Sequence, residues 1–399
     1  MRKVSRDTLI AKRYLSRWTT IACSTSIGAV VAFASPSTQA QTSNLESVPA
    51  GEDQDIAEIV RLAKGELSRH YPEDKTQVVR RDAHAKAHGC VKASFNVDND
   101  LPEDLRVGIF KPGQTYRAWI RFSNAAFEPG PDPGMDGRGM AIKLLDIPDA
   151  GDSSSSKFRT QDIVMVNYPV FFSPDAKDYR AFAEAGALTG DSAGLRRYFL
   201  PSYNPFSWRL RQAVIGYDIA NQKIQSPLMV QYYSMVPYKF DSKHGVDRAV
   251  RYSAKRCDIP GSNVIKQADT TRPEYLKEAM VAELNKQSVC YSFFVQVRPD
   301  GMSNEDAKRS IEDATFDWDQ TKSPFWKVAN ITIEKQSFDT AYRNTLCENM
   351  SFDPWNAIAE HTPLGGINRI RRELYPEISK YRHQRNHVAD VDPIAAWEQ

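Results

Sequence analysis

The sequence lacks the features that mark several classes of protein. It holds five cysteines in 399 residues, and none lies in a Cys-x-x-Cys pair or a Cys/His cluster with zinc spacing. No internal repeat or low-complexity tract is present, so a globular fold is the default. The uncharged run at residues 19–34 is short and weakly apolar for a membrane span.

The chain after residue 40 also has no excess of positive charge. Residues 1–40 have a basic start, an uncharged segment and small residues ending at Ala40, which predicts a secretory signal peptide cleaved there. A retained N-terminal anchor is the alternative. These residues hold six Lys or Arg and one Asp, which leaves 46 basic and 49 acidic residues, a net charge of −3. We therefore expect no nucleic-acid partner.

The predicted signal implies Sec-like export to the periplasm or out of the cell, with no integral membrane span after its removal. Four cysteines remain, and an oxidising compartment allows one or two disulfides. Three pairings of the four stay open at this stage. They are Cys90, Cys257, Cys290 and Cys347.

Hydrophobic periodicity divides the rest of the chain. Residues 41–77 form a leader with helical spacing at Ile56, Ile59, Ala63 and Leu67, which predicts an amphipathic outer helix. Alternating stretches with hairpin-like spacings and few helices between them follow, a pattern typical of an antiparallel barrel or sandwich. Strands are predicted at residues 91–97, 116–124, 137–145, 161–172, 228–235, 289–297 and 328–333, with a serine-rich hairpin loop at 152–156.

Helical periodicity returns at residues 174–219, 305–314 and 366–383. In the last of these, Arg371 lies one turn before Tyr375, so the guanidinium is expected beside the phenol. A cation there stabilises a phenolate, which is a suitable ligand for ferric iron. Arg-x-x-x-Tyr is common by chance, however, so this stretch alone does not establish a site. Pro376 is expected to kink the helix.

Six short motifs occur in order along residues 78–385. In this order they resemble the motifs of the catalase family, and the set is highly specific although each motif is weak alone. The motifs are Arg81-x-x-His84-Ala85-Lys86, Arg121-Phe122-Ser123, Asp136-x-Arg138-Gly139-x-Ala141-x-Lys143, Asn167-x-Pro169-x-Phe171-Phe172, Phe352-Asp353-Pro354-x-Asn356, and Arg371-x-x-x-Tyr375 with Arg382 seven residues on.

The resemblance implies an α+β fold over residues 78–399, with a catalase-like antiparallel β-barrel core, surrounding helices and a C-terminal haem-ligand helix. It also implies haem b, with Tyr375 ligating the iron as a phenolate that Arg371 keeps ionised. Arg81, Arg121 and Arg382 match haem-propionate ligands, since guanidinium forks fit carboxylates. Tyr179 occupies the position of an aromatic residue that stacks on the haem.

The resemblance assigns the peroxide chemistry to three other residues. His84 would move protons between the peroxide oxygens as a general acid–base. Asn167 would donate a hydrogen bond to the peroxide, and Ser123 would orient His84. Asp132 matches a channel aspartate, while His88 is expected to be structural.

Departures from the family pattern shape the expected activity. The long C-terminal region of large catalases is expected to be missing, and Ala83 and the stretch Asn124-Ala125-Ala126 differ from the usual residues around His84. A more open distal pocket would admit organic hydroperoxides or a small reductant. We therefore expect an exported haem-dependent peroxidase or catalase-like enzyme. The alternatives are a fatty-acid hydroperoxide lyase or isomerase, and a haem-binding protein without turnover; a homo-oligomer is left open.

Overall fold

A closed antiparallel β-barrel forms the centre of the fold. The computed structural model describes residues 45–74, 76–148, 158–240, 248–258 and 268–399. The predicted signal peptide at residues 1–40 and the predicted loop at 152–156 lie outside these ranges. The barrel and the helices around it confirm the predicted α+β barrel class.

Nine strands lie in the described ranges, and every pair is antiparallel. Eight close a ring in the order β5-β4-β3-β2-β1-β9-β8-β7, with β7 pairing back to β5, and β6 extends β7 outside it. The strands are β1 (Ala87–Val97), β2 (Thr115–Asn124), β3 (Arg138–Leu145), β4 (Thr160–Val166), β5 (Tyr232–Tyr233), β6 (Tyr238–Phe240), β7 (Arg248–Arg256), β8 (Val289–Val297) and β9 (Phe325–Ile333).

Alternation along the strands fills the barrel with apolar side chains. On β1, Val91, Ala93, Phe95 and Val97 are all buried, as their spacing predicts. Phe95 meets Phe293 of β8 edge to face, with ring centroids 5.1 Å apart. Aromatic pairs in this arrangement add to the stabilisation that comes from burial.

Eight helices in the described ranges surround the barrel. The predicted leader helix forms and buries Ile56, Ile59, Ala63 and Leu67, which join the main core. The helices are α1 (Glu52–His70), α2 (Ala176–Glu184), α3 (Ser192–Phe199), α4 (Leu210–Ala220), α5 (Tyr275–Leu284), α6 (Asn304–Glu312), α7 (Ala341–Asn349) and α8 (Gly366–Asn386).

A buried arginine fixes the start of α8. Arg369 forms ion pairs with Glu46, Glu52 and Glu312, so one guanidinium joins α8 to the leader and to α6. All four side chains are at least nine-tenths buried apart from Glu312, which is 11% exposed. A buried cation is tolerated only when its donors are paired in this way. The helix that carries Arg371 and Tyr375 is therefore held in one position.

Several predicted element bounds were wrong. The strand predicted at 228–235 is a 3-10 turn followed by the two-residue β5, because Pro227 and the Ser226 cap favour a turn. The strand predicted at 161–172 ends at Val166. Helix α8 runs through Pro376 to Asn386, beyond the predicted end. Strands β6 and β7 and helices α5 and α7 were not predicted.

The structure selects one of the three cysteine pairings. Cys90 on β1 bonds to Cys347 on α7, and Cys257 bonds to Cys290 on β8. The first bridge closes a separation of 257 residues and the second one of 33. The first therefore ties α7 to the barrel.

We expect the long-range bridge to contribute more stability than the short-range one. In the chain-entropy model, Cys90→Ala/Cys347→Ala lowers the free energy of unfolding by about 2 kcal/mol more than Cys257→Ala/Cys290→Ala does. Urea unfolding of both double variants under oxidising conditions measures the difference. Equal losses for the two variants would show that the bridges do not act through loop closure.

Candidate active site

One cavity of about 930 Å³ brings together most of the predicted site residues. It lies where the chain before β1, strands β2 to β4 and helix α8 meet. Eight of the nine predicted residues line it, and Asn167 is the exception. The eight are Arg81, His84, Arg121, Ser123, Tyr179, Arg371, Tyr375 and Arg382.

His84 lies just before β1 in a left-handed backbone conformation, with φ of 57°. His84 therefore lies outside the regular alternation of β1. Such a conformation is uncommon for residues other than glycine and costs free energy. Backbone bonds hold it: His84 N–H donates to Ala125 O at 2.9 Å, and Arg121 Nη2 donates to His84 O at 2.8 Å.

Ser123 contacts the imidazole directly, with Oγ 3.0 Å from Nδ1 of His84. Gly139 on the neighbouring strand makes room for this pair. A Cβ on Gly139 would lie 2.5 Å from His84 Nδ1 and 2.8 Å from Ser123 Oγ. The glycine of the Arg138-Gly139 motif is therefore needed for close approach, and Nε2 of His84 is left available to a ligand.

The surroundings of His84 keep it neutral. Burial lowers the pKa of its imidazole to about 3, and the nearby cations of Arg121, Arg371 and Arg81 act in the same direction. The neutral imidazole keeps one ring nitrogen with a lone pair that can accept a hydrogen bond or a proton.

Three guanidiniums line the cavity, those of Arg81, Arg121 and Arg382, and the carboxylate of Glu348 pairs with the first and the last of them. Glu348 Oε1 accepts from Arg382 Nη2 at 2.9 Å and from Arg81 Nη1 at 3.4 Å. Burial lowers the pKa of Arg81, and repulsion from Arg121 and Arg382 lowers it further. Nε of Arg121 is buried without a hydrogen-bond partner among the described residues. The cluster therefore has room for additional negative charge.

Tyr375 and Arg371 line the same cavity from α8. Burial raises the pKa of the Tyr375 phenol, while the Arg371 guanidinium opposes that shift. Burial also raises the pKa of the Tyr179 phenol. Asp82 and Tyr375 add to this shift because both lie close to Tyr179. Arg371 is the cation that favours a phenolate at Tyr375.

Asn167 does not line the cavity. Its side-chain oxygen accepts from Arg138 N–H at 2.8 Å, and its amide nitrogen donates to Ile219 O at 2.8 Å. The amide thus joins the turn after β4 to β3 and to the end of α4. The predicted channel residue Asp132 is likewise engaged, with Lys86 Nζ 2.7 Å from its Oδ1 and Leu276 N–H donating to Oδ2.

Some residues of the cavity or next to it were not predicted to be part of the site. Glu348 lies in none of the six motifs, and its role depends on the fold of α7. Asp82 occupies an unspecified position of the Arg-x-x-His motif, and burial raises its pKa to about 6. Burial raises the pKa of Asp353 to about 7. The segment after α8, residues 387–393, supplies part of the cavity wall.

Sequence comparison establishes the family of this chain. The sequence model of the catalase family matches residues 66–387, so the chain belongs to the catalase family. No curated protein sequence matches it. Within the described ranges, no helix is both long and apolar enough to cross a membrane.

Solved catalases share the fold at low sequence identity. A fungal catalase is 20% identical with a TM-score of 0.60, covering 79% of this chain and 64% of that one. Catalase A from Saccharomyces cerevisiae is 20% identical with a TM-score of 0.59, covering 80% and 66%. A bacterial catalase is 19% identical with a TM-score of 0.56, covering 85% and 64%. This chain therefore spans about two thirds or slightly less of each structure.

We expect acid to destabilise the haem-free protein partly through His84. The unfolded chain takes up this proton near pH 6.5, whereas the folded protein does so only near 3. The free energy of unfolding should therefore fall as the pH drops from about 6.5 towards 3, and less steeply in His84→Gln. Urea unfolding across this range measures the slope. A ring titration of His84 near pH 6.5 in ¹⁵N NMR would contradict the prediction.

Asn167→Ala should destabilise the fold, because Arg138 N–H and Ile219 O lose their partners. Each buried group left unpaired costs about 1–3 kcal/mol. Asn167→Asp keeps the acceptor but removes the donor, so its cost should be intermediate. The exposed Asn344→Ala serves as the control in urea unfolding. Wild-type stability for Asn167→Ala would show that the amide has no such bridging role.

Proposed function

We propose that this chain is a haem-dependent peroxidase with catalase-like chemistry, reducing hydrogen peroxide or organic hydroperoxides. The observation that carries the proposal is the single cavity shared by His84, Tyr375 and the three arginines. Membership of the catalase family supports it. Because the chain spans only about two thirds of the solved catalases, the activity is inferred from the site.

The donor set of the cavity fits haem. Arg81, Arg121 and Arg382 offer more positive charge than Glu348 neutralises, which suits a ligand with two carboxylates. The Nε–H group of Arg121 has no hydrogen-bond partner among the described residues. Tyr375, with Arg371 beside it, supplies the phenolate that would hold the iron. When bound, haem would supply a redox-active iron for peroxide reduction.

In the reaction, the protein transfers a proton and holds the imidazole of His84 in position for that transfer. His84 is neutral and takes a proton from the peroxide at Nε2, because Ser123 engages Nδ1. The protonated imidazole then returns this proton to the leaving oxygen, which is general acid–base catalysis. The left-handed backbone at His84, held by Ala125 O and Arg121, fixes the ring in place.

Two features support organic hydroperoxides as substrates and a peroxidase cycle. Ala83, next to His84, lines the cavity and leaves space for a substituent on the peroxide. Both polar atoms of the Asn167 side chain are hydrogen-bonded to backbone groups. Proton transfer to and from the peroxide is therefore assigned to His84. We propose that a small reductant completes the cycle.

We propose that the protein acts in the periplasm or outside the cell, and two observations support this. The N-terminal pattern at residues 1–40 supports export to the periplasm or out of the cell. The two disulfides support an oxidising compartment, because such bonds persist there.

Tyr375→Phe should abolish stable haem binding, because the phenolate ligand is lost. Tyr381→Phe removes a hydroxyl from the same helix outside the cavity wall and should leave haem content unchanged. Absorption spectra of the two variants after haem reconstitution measure the effect. Equal haem content and an unchanged ferric spectrum in Tyr375→Phe would refute the assignment.

His84→Gln should keep haem but lose peroxide turnover by about 10²–10⁴-fold, the usual contribution of a general acid–base. Steady-state reduction of hydrogen peroxide and of a lipid hydroperoxide, with a reductant present, measures this loss. Product analysis with lipid hydroperoxide and no reductant separates the lyase or isomerase alternative. If the wild type binds a full complement of haem but shows no turnover, the chain is a haem-binding protein without enzymatic activity.

A further inference from the structure

The loop between α3 and α4 exposes an unusual amount of apolar surface. Residues 200–217 hold seven of the thirteen large apolar side chains exposed in the described ranges. Tyr203 and Phe206 at its tip are 103% and 98% exposed, so the fold buries neither. Contiguous apolar surface of this kind marks an interaction site. The seven are Leu200, Tyr203, Phe206, Trp208, Leu210, Val214 and Tyr217.

The loop proper, residues 200–209, is called the aromatic loop here, and Leu210, Val214 and Tyr217 belong to the start of α4. The aromatic loop has its own internal support. Trp208 Nε1 donates to Ser202 O at 2.8 Å, and the hydroxyls of Ser202 and Ser207 lie 2.8 Å apart. The Asn204 side chain caps the 3-10 turn Pro205–Ser207. The two tip rings are therefore presented on a preformed turn, which lowers the entropy lost on binding.

The surroundings of the loop are cationic. Residues 196–211 contain four arginines and no acidic residue, although the chain beyond residue 40 is net negative. Arg209 is paired with Asp178 at 2.8 Å. Arg197 and Arg211 donate to the backbone carbonyls of Ala185 and Thr315, so both keep a net charge. The surface around the exposed rings therefore favours an anionic partner.

A groove of about 410 Å³ lies beside the loop, between α4 and residues 168–170. Leu210 and Val214 line it and are 58% and 60% exposed, and Arg211 and Asp317 also lie along it. The apolar part of such a groove can hold an acyl chain.

We propose that the aromatic loop docks this protein onto an anionic lipid surface. Tyr203 and Phe206 enter the interfacial layer, the arginines face the phosphates, and the groove takes an acyl chain. Aromatic rings with Arg on one surface are the composition of membrane-interface anchors. The two tip rings offer about 150–250 Å² each, well below the roughly 800 Å² per partner of a stable protein interface. The docking does not depend on the proposed haem chemistry.

Vesicle sedimentation tests the proposal without any turnover. The wild type should bind vesicles of phosphatidylcholine mixed with phosphatidylglycerol, and bind phosphatidylcholine alone more weakly, with binding falling as salt rises. Tyr203→Ser/Phe206→Ser should lower the partition coefficient about tenfold or more for each ring. Trp326→Ser/Tyr342→Ser removes two exposed rings elsewhere and should bind as the wild type does.

Both the full-length chain and the chain from Thr42 are to be used, since residues 42–399 form a compact unit of their own. If the full-length chain binds vesicles and the chain from Thr42 does not, the membrane affinity belongs to the N-terminus and the proposal is overturned. Unchanged binding of the loop variant would also overturn it. A wild-type dimer that the loop variant loses, with no vesicle binding, would assign the loop to a second copy of this chain instead.

Discussion

Arg81 and Arg382 share the carboxylate of Glu348, and the arrangement of the cavity depends on that shared ion pair. Each guanidinium comes from a different part of the chain, one before β1 and one on α8, while the carboxylate comes from α7. Removing two cations from water is costly, and one anion offsets only part of the cost. Arg121 adds a third cation within the same wall. The protein therefore holds unbalanced positive charge inside its fold, and an anionic cofactor would relieve it. Binding of an anionic group at this site would therefore be linked to folding through this charge.

The sequence could predict contacts within one helical turn and contacts that the family motifs imply. The contact of Arg371 with Tyr375 follows from one helical turn, and the motif that contains Ser123 predicted its contact with His84 across 39 residues. The family motifs also predicted the barrel and its surrounding helices. The partners of Asn167 could not be predicted in this way, because Ile219 lies 52 residues further on and is brought near by the packing of α4. Glu348 and the pairing of Cys90 with Cys347 depend on where α7 lies, and α7 has no strong periodicity. The strand predicted at 228–235 is shortened to β5, because a 3-10 turn begins at Pro227 and takes up its first residues.

The chemistry around His84 relies on what neighbouring residues lack. Gly139 has no side chain, which lets His84 and Ser123 meet, and Ala83 has only a methyl group where a larger side chain would fill the cavity. The imidazole is thus fixed on its Nδ1 side and unobstructed on the other. A base held this firmly loses little entropy when it transfers a proton. If the chain reduces peroxides as proposed, these small residues would also widen the range of peroxides that fit beside His84.

Strand β5 closes the barrel with only two residues, and this has a mechanical consequence. It pairs with β4 at a single position, Val166 with Tyr233, directly before the turn that contains Asn167. Elsewhere the ring is joined by ladders of four to nine residue pairs. The free energy of local opening is lowest where the fewest hydrogen bonds must break. Thermal opening of the ring therefore concentrates at β5, beside the residues that flank the cavity.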